Sequence, residues 1–226
     1  FCGYHGWHDW YLSSNLTKKN SLKGHLLSGL NTDGVPSILK NTVYTFDYNN
    51  LKQFNSIINN HKISAVMMEV SRNYQPKNDF LKKVRKITKK NNIALIFDEC
   101  TSGFRQAYGG LHKHYGIKPD MAIFGKSLGN GYPITAIIGN NKVMKYAQSS
   151  FISSTFWSER SGYVAALKTL EIMKKKKAWK QITSKGNYIR KRWSELSKKY
   201  NLDIDITRIP AISIFKFKSK NTKKYI

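Results

Sequence analysis

Met121-Ala122-Ile123-Phe124-Gly125-Lys126-Ser127-Leu128-Gly129-Asn130-Gly131-Tyr132-Pro133 is a short apolar run that ends on one lysine in a glycine-rich turn. Met121 to Phe124 reads as a strand buried on both faces, and open α/β sheets bind ligands just beyond the carboxyl ends of such strands, where Lys126 falls. In a chain with 39 Lys+Arg, any one lysine is by default a solvated loop residue. The claim of Lys126 to a role rests on what the rest of the chain places beside it.

Upstream, Ile93 to Phe97 is a second apolar run and ends on Asp98-Glu99, and Ile63 to Met68 is a third and ends on Glu69. Between them, 78–91 carries Phe80, Leu81, Val84 and Ile87 on one helical face and lysines on the other. Strand, helix and strand in alternation predict a parallel sheet with right-handed crossovers. Downstream, the link from Lys126 through Gly131 and Pro133 to the run Ile134 to Ile138 is too short for a helical crossover, so those two strands should pair antiparallel. Residues 42–46 read as a strand or extended segment, followed by Asp47 to Asn50 as the cap of a helix to about His61. Helices fill about 159–200, with breaks expected near 175–178 and 184–187, before 212–217 reads as the strand that opens a new unit. The predicted fold class is α/β, a three-layer α/β/α arrangement with a mostly parallel sheet and one antiparallel strand. A large domain over 1–205 and the start of a small α+β domain over 206–226 are expected.

A formal net charge of +26 raises the question of nucleic acid or an anionic membrane. The lysines are spread over helix faces among asparagines and isoleucines, no nucleic-acid module is recognisable, and nucleic-acid binding is not expected. The one long basic run, Lys174 to Lys177, sits where a helix should end, a placement that complements the helix dipole. Cys2 and Cys100 form no disulfide framework and lack metal-type spacing, so a reducing cytoplasm is the expected setting and no metal is expected. No run has the length of a membrane span. The opening segment through Asn31, beginning Phe1-Cys2-Gly3-Tyr4-His5-Gly6-Trp7-His8-Asp9-Trp10, reads as an active-site loop leading into a short helix or irregular region, with Trp7 and Trp10 packed under it.

Glu69, Asp98 and Lys126 thus stand at the ends of three strands that share one sheet edge. A desolvated lysine amine is suited to a Schiff base with a carbonyl, and a buried aspartate can keep a heterocyclic nitrogen protonated; the two together are the parts of a pyridoxal phosphate site. Spacing alone leaves metal or ribose binding open, because strand-terminal acids also serve those ligands.

Three segments decide between these. Gly3-Tyr4-His5-Gly6-Trp7-His8-Asp9, Leu95 through Asp98-Glu99 to Gly103-Phe104-Arg105, and Pro119-Asp120 through Lys126 to Gly131 resemble, in order, the motifs of class III pyridoxal-phosphate aminotransferases, and within them the glutamate-1-semialdehyde aminomutase-like branch. The resemblance implies an enzyme that transfers an amino group through a lysine aldimine, as a transaminase or an intramolecular aminomutase, with pyridoxal 5'-phosphate as cofactor and a small amino, keto or aldehyde compound as substrate. Lys126 matches the lysine that holds the cofactor and moves the proton, and Asp98 the aspartate paired with the pyridine nitrogen. Tyr4 matches the aromatic on one ring face, with His5 beside it, while Cys100 stands where a small apolar residue packs on the other. For His5 and His8 a hydrogen-bonded loop histidine and a direct role both stay open. Thr155 resembles a threonine that reaches the cofactor phosphate of the neighbouring subunit, which implies a homodimer with shared active sites. Glu69 matches a strand-end glutamate, though the proline that usually follows is Val70 here, and Asn73 is the candidate for the cofactor's hydroxyl.

The family's main phosphate-binding loop, its amino-terminal gating residues and nearly all of its small domain are not among these residues. The chain is therefore expected to be a fragment centred on the cofactor domain, and to bind cofactor weakly or not at all by itself. A non-catalytic descendant of the fold is the remaining alternative, against which the presence of both Lys126 and Asp98 argues.

Overall fold

The computed structural model describes residues 4–6, 8–18, 21–23 and 30–218. Cys2, Trp7 and the end of the expected last unit, 219–226, lie outside them.

The elements begin with helix α1, Asp9–Thr17, whose amino end is capped by His8 accepting a hydrogen bond from the Tyr11 amide at 3.2 Å. Among the described residues, 42–46 form no strand and join no sheet. Helix α2, Leu51–Asn60, starts at Asn50, whose side chain accepts from the Gln53 amide at 3.0 Å, while Gln53 reaches back to accept from the Asp47 amide at 2.7 Å. This reciprocal capping satisfies donors that a helix start otherwise leaves open. Strand β1, Ala65–Glu69, leads to helix α3, Phe80–Lys90, which buries Phe80, Leu81, Val84 and Thr88. Strands β2, Ala94–Asp98, and β3, Met121–Phe124, follow.

The sheet has the order β1-β2-β3-β4, with β1, β2 and β3 parallel and β4, Ala136–Gly139, antiparallel to β3. This is the α/β fold that the alternation of elements predicts, with the antiparallel strand where the short link demands it. Burial along the strands differs from expectation. It alternates: Val66, Met68, Leu95, Phe97, Ala122 and Phe124 are buried, whereas Met67, Ile96 and Ile123 are only half-buried. Apolar composition on both faces concealed this, since a continuous apolar run has no period to reveal which face is covered. The covered face carries a cluster in which Val66, Met68, Leu95 and Phe97 meet Phe54 of α2 and Phe80, Leu81 and Val84 of α3. Each such side chain contributes roughly 1.5–3 kcal/mol by leaving water.

After β4 come a short helix α4, Asn141–Met144, and two long helices, α5, Arg160–Lys176, and α6, Ala178–Lys199. Lys177 separates them in a left-handed conformation, φ 50°, so the basic run does mark a helix end. The expected second break at 184–187 is absent, and α6 continues through it. Gly186 is there for a contact: a Cβ at this position would stand 2.2 Å from the carbonyl oxygen of Pro210. A glycine inside a helical pattern weakens the helix, and tertiary packing overrides that here. Strand β5, Ile204–Thr207, which the sequence reading missed, pairs antiparallel with β6, Ile214–Phe217.

One side chain ties the sheet together. Asp120, just before β3, accepts hydrogen bonds from Arg85 of α3 at 2.5 and 3.1 Å, from the Leu95 amide of β2 at 2.9 Å and from the Asn140 side chain at 2.9 Å. Burial alone would raise its pKa, but the Arg85 and Leu95 hydrogen bonds and the guanidinium charge outweigh burial and hold the carboxyl below its usual range. Asp120→Ala in the full-length protein should cost about 2–4 kcal/mol, leaving a half-buried guanidinium and a buried amide without their acceptor. Because the folded pKa is depressed, the ionised carboxylate's contribution is present above the unfolded value of about 4 and fades as pH falls through the folded one. Urea unfolding at neutral and acid pH checks this: the gap between wild type and variant should narrow in acid.

Candidate active site

The parallel register sets Glu69 and Asp98 side by side at the carboxyl ends of β1 and β2. Ile123 of β3 pairs with Asp98, so the Gly125-Lys126 turn leaves the same edge. The three strand ends converge as the sequence predicts.

Asp98 is buried and has two donors. His5 Nδ1 lies 2.9 Å from Asp98 Oδ2, and the Cys100 amide donates to Oδ1 at 3.0 Å. Burial pushes its pKa up, yet the hydrogen bonds from His5 and from the Cys100 amide win, and the net displacement is downward. An aspartate held ionised and turned by two donors is equipped to face a cationic group. Of the two histidines left open, His5 pairs with Asp98, while His8 caps α1.

Lys126 departs from expectation in one respect. Its side chain is exposed in this chain rather than desolvated, and its Nζ donates to the Thr101 hydroxyl at 3.1 Å. The backbone at Lys126 has φ 44°, a left-handed conformation that is uncommon for a side chain with a Cβ and concentrates at functional sites. It opens a tight turn, 126–128, straight after Gly125. Gly125 lies against Cys100: a Cβ there would meet Cys100 Sγ at 3.3 Å. The thiol itself is pushed up to about 11, by burial first and then by the Asp98 charge, with Lys126 partly opposing them. Cys100 thus stays a neutral, half-buried thiol, suited to packing rather than to nucleophilic work.

Around this centre, Glu69 is 2 % exposed and faces Arg72, whose Nη1 donates to its oxygens at 3.3 and 3.5 Å. Burial, partly offset by the Arg72 charge, raises the Glu69 pKa. Tyr4 stands edge-on to the buried Tyr11, ring centres 6.1 Å apart. Beneath the turn after Asp98, the buried Glu99 accepts from the Ser102 hydroxyl and, at 2.9 Å, from the His112 amide, with His112 Nδ1 also 2.9 Å away. That network anchors 98–104 from inside.

The remaining two candidates are Asn73 and Thr155. Asn73 accepts from Arg208 Nε at 3.0 Å, and Thr155 lies in an exposed stretch over 150–159. Trp10, expected under the loop, is 62 % exposed. Sequence reasoning passed over Thr101, Arg72 and Tyr11. Arg72 had a signal, since a glutamate ending a buried strand needs a cation near it. Thr101 had none, because a threonine hydroxyl meets Lys126 only once the sheet is assembled. Among the described residues no group of three or more His, Cys, Asp or Glu is arranged to hold a metal ion, and no helix is long and apolar enough to cross a membrane.

The chain resembles known proteins along nearly its whole length. The model of the family described as aminotransferase class-III matches residues 2–226. A 3-aminobutyryl-CoA aminotransferase of Cloacimonas acidaminovorans is 31% identical over 232 residues, covering 99% of this chain and 52% of its own. A glutamate-1-semialdehyde 2,1-aminomutase of Nitrosopumilus maritimus is 37% identical over 184 residues, 76% of this chain and 42% of its own. Among solved structures, an omega-transaminase from Sphaerobacter thermophilus superposes with a TM-score of 0.82 at 23% identity, over 99% of this chain and 53% of that one. The PLP internal aldimine form of the FumI protein of Sphingopyxis sp. MTA144 superposes with a TM-score of 0.81 at 24% identity, over 95% and 50%. These superpositions establish likeness of fold. The chain spans about half the length of the curated relatives it matches.

Proposed function

The chain belongs to the class-III aminotransferase family, and from that premise we propose that its protein moves amino groups with pyridoxal 5'-phosphate, as a transaminase or as an aminomutase of the glutamate-1-semialdehyde kind. The observation that carries the reading is the meeting of an ionised, buried Asp98 with Lys126 on one sheet edge. The residues fit the cofactor. Asp98, turned by His5 and the Cys100 amide, offers the anionic partner that a protonated ring nitrogen requires. Lys126 offers a primary amine, Cys100 a neutral packing surface beside it, and Tyr4 an aromatic face. Glu69 closes the floor, and Asn73 is kept as a candidate for the cofactor's hydroxyl.

When bound, the cofactor supplies a ring that accepts the electron density left on a substrate carbon as its proton departs. The chain's own part is positional and protonic. Asp98 would keep a proton on the ring nitrogen. Lys126 Nζ would hold the cofactor and, once free, would be placed to take a proton from the substrate carbon. The Thr101 hydroxyl, which accepts from Nζ, steadies the amine between these duties.

We read 1–205 as the large domain, the β5–β6 ladder as the beginning of the small one after 205, the working unit as a homodimer and its setting as the cytoplasm. The dimer is supported by Phe151, Phe156 and Trp157, which flank Thr155 and are 98%, 72% and 57% exposed. Large apolar side chains so grouped favour a covering partner, and a second copy would bring Thr155 to its neighbour's cofactor phosphate. The full-length protein is expected to sediment at twice its chain mass.

The mutase and transaminase readings separate in one experiment. With a ¹⁵N-labelled amino substrate, a mutase returns the label to a neighbouring carbon of the same molecule. A transaminase, the reading that the 3-aminobutyryl-CoA aminotransferase favours, passes it to a second keto or aldehyde compound. Label that stays on the original carbon with every acceptor tried contradicts both.

A further inference from the structure

Arg72 follows β1 closely, and its side chain, 13% exposed, lies beside the 2% exposed Glu69. Only Nη1 touches Glu69, at 3.3 and 3.5 Å. A guanidinium and a carboxylate that are each other's intended partners form two short parallel hydrogen bonds, and this pair forms none of that kind. Nε is buried and has no hydrogen-bond partner among the described residues. Buried donors are almost always matched, so an unmatched one beside a reaction site asks which acceptor completes it.

The surroundings narrow the answer. Glu69 pairs with Asp98 across the strands, and His5 and the buried Tyr11 are near enough for their charges to act within the same group. The missing acceptor must be an anion small enough to share this space with two carboxyl groups. A dianion would be repelled by both. A single carboxylate would be repelled less, with the Arg72 guanidinium beside it, and burial, which raises the Glu69 pKa, weakens the hold of Glu69 on its charge.

We propose that Arg72 recognises a carboxylate of the amine substrate, which takes the guanidinium edge bearing the unpaired Nε while Glu69 gives way. A lysine could neutralise Glu69 equally well; the planar fork of arginine is what carboxylate recognition uses. The inference rests on the crevice being the reaction site proposed above, and it makes Arg72 a determinant of substrate choice, favouring amino acids over simple amines.

Butyrate, with butyramide as its neutral isostere, is titrated calorimetrically into the full-length protein with and without cofactor. The wild type is expected to bind butyrate and ignore butyramide. Arg72→Gln should weaken butyrate by about tenfold or more, as loss of charge-assisted hydrogen bonds requires, and Arg72→Lys should fall between. Glu69→Gln, which removes the competing charge, should tighten it. No binding by the wild type, equal binding by a folded Arg72→Gln, or weakening by Glu69→Gln overturns the proposal, the last by marking the pair as structural. If Arg72→Gln does not fold, Arg72→Lys and Glu69→Gln decide. Should the wild type take up no cofactor, the proposed function fails, while butyrate binding to the cofactor-free protein still decides Arg72.

Discussion

Lys126→Ala in the full-length protein is expected to lower turnover by about 10⁴-fold, the upper end of what a positioned proton carrier supplies. The loss should fall on kcat, because the substrate can still enter while the amine that anchors the cofactor and accepts the substrate's proton is gone. The fold should survive the change. Lys126 is exposed, donates one hydrogen bond and occupies a left-handed backbone position that alanine also tolerates poorly, so the variant should unfold within about 1 kcal/mol of the wild type. Turnover and urea unfolding measured on the same preparation separate the two effects. Turnover kept within tenfold would remove Lys126 from the mechanism.

Asp98→Asn is the second large effect, with an expected loss of about 10³-fold in turnover. The amide keeps the shape of the carboxylate and can still receive the Cys100 amide on its oxygen, but it has no charge to keep a ring nitrogen protonated. It also puts an NH₂ group where an acceptor is required. His5 would then have to present its other tautomer or lose its partner. The cofactor's absorption spectrum in the loaded variant gives an independent reading: a shift relative to wild type marks a change at the ring, whereas a damaged fold would lower the amount bound without moving the band.

Much of this site could be read before the sheet was seen. Asp98 and Lys126 each stop an apolar run, and in a parallel sheet every such stop falls on one edge, so their meeting follows from pattern alone. The antiparallel β4 was equally legible, since the link after Lys126 is too short for a crossover. Less legible was everything that depends on what covers what. Met67, Ile96 and Ile123 are as apolar as the buried residues next to them, and only the placement of α2 and α3 shows that their face of the sheet is the less covered one. Gly186 looked like a helix breaker because its reason, the Pro210 carbonyl pressed against it, lies far along the chain. The exposure of Lys126 and the unmatched Nε of Arg72 belong to the same class, being properties of assembled surroundings rather than of local sequence.

The local chemistry also explains why the site tolerates a cysteine in its middle. A thiol raised to about 11 remains protonated at neutral pH, adds no charge beside Asp98 and does not compete with Lys126 as a nucleophile. Asp98 is held low by its donors against burial, and Glu69 is raised by burial against the Arg72 charge. Two carboxyl groups on adjacent strands are thereby driven apart in pKa, the arrangement by which one site keeps a fixed anion and a proton-bearing group together.

The most direct test of the central claim is chemical. The full-length protein is incubated with pyridoxal 5'-phosphate, reduced with borohydride, digested and mapped by mass spectrometry, with Lys126→Ala treated alongside. The account predicts one stoichiometric phosphopyridoxyl mark, on the peptide that carries Lys126, and its loss in the variant. Marks scattered over the surface lysines with none on Lys126, in protein that retains turnover, would contradict it.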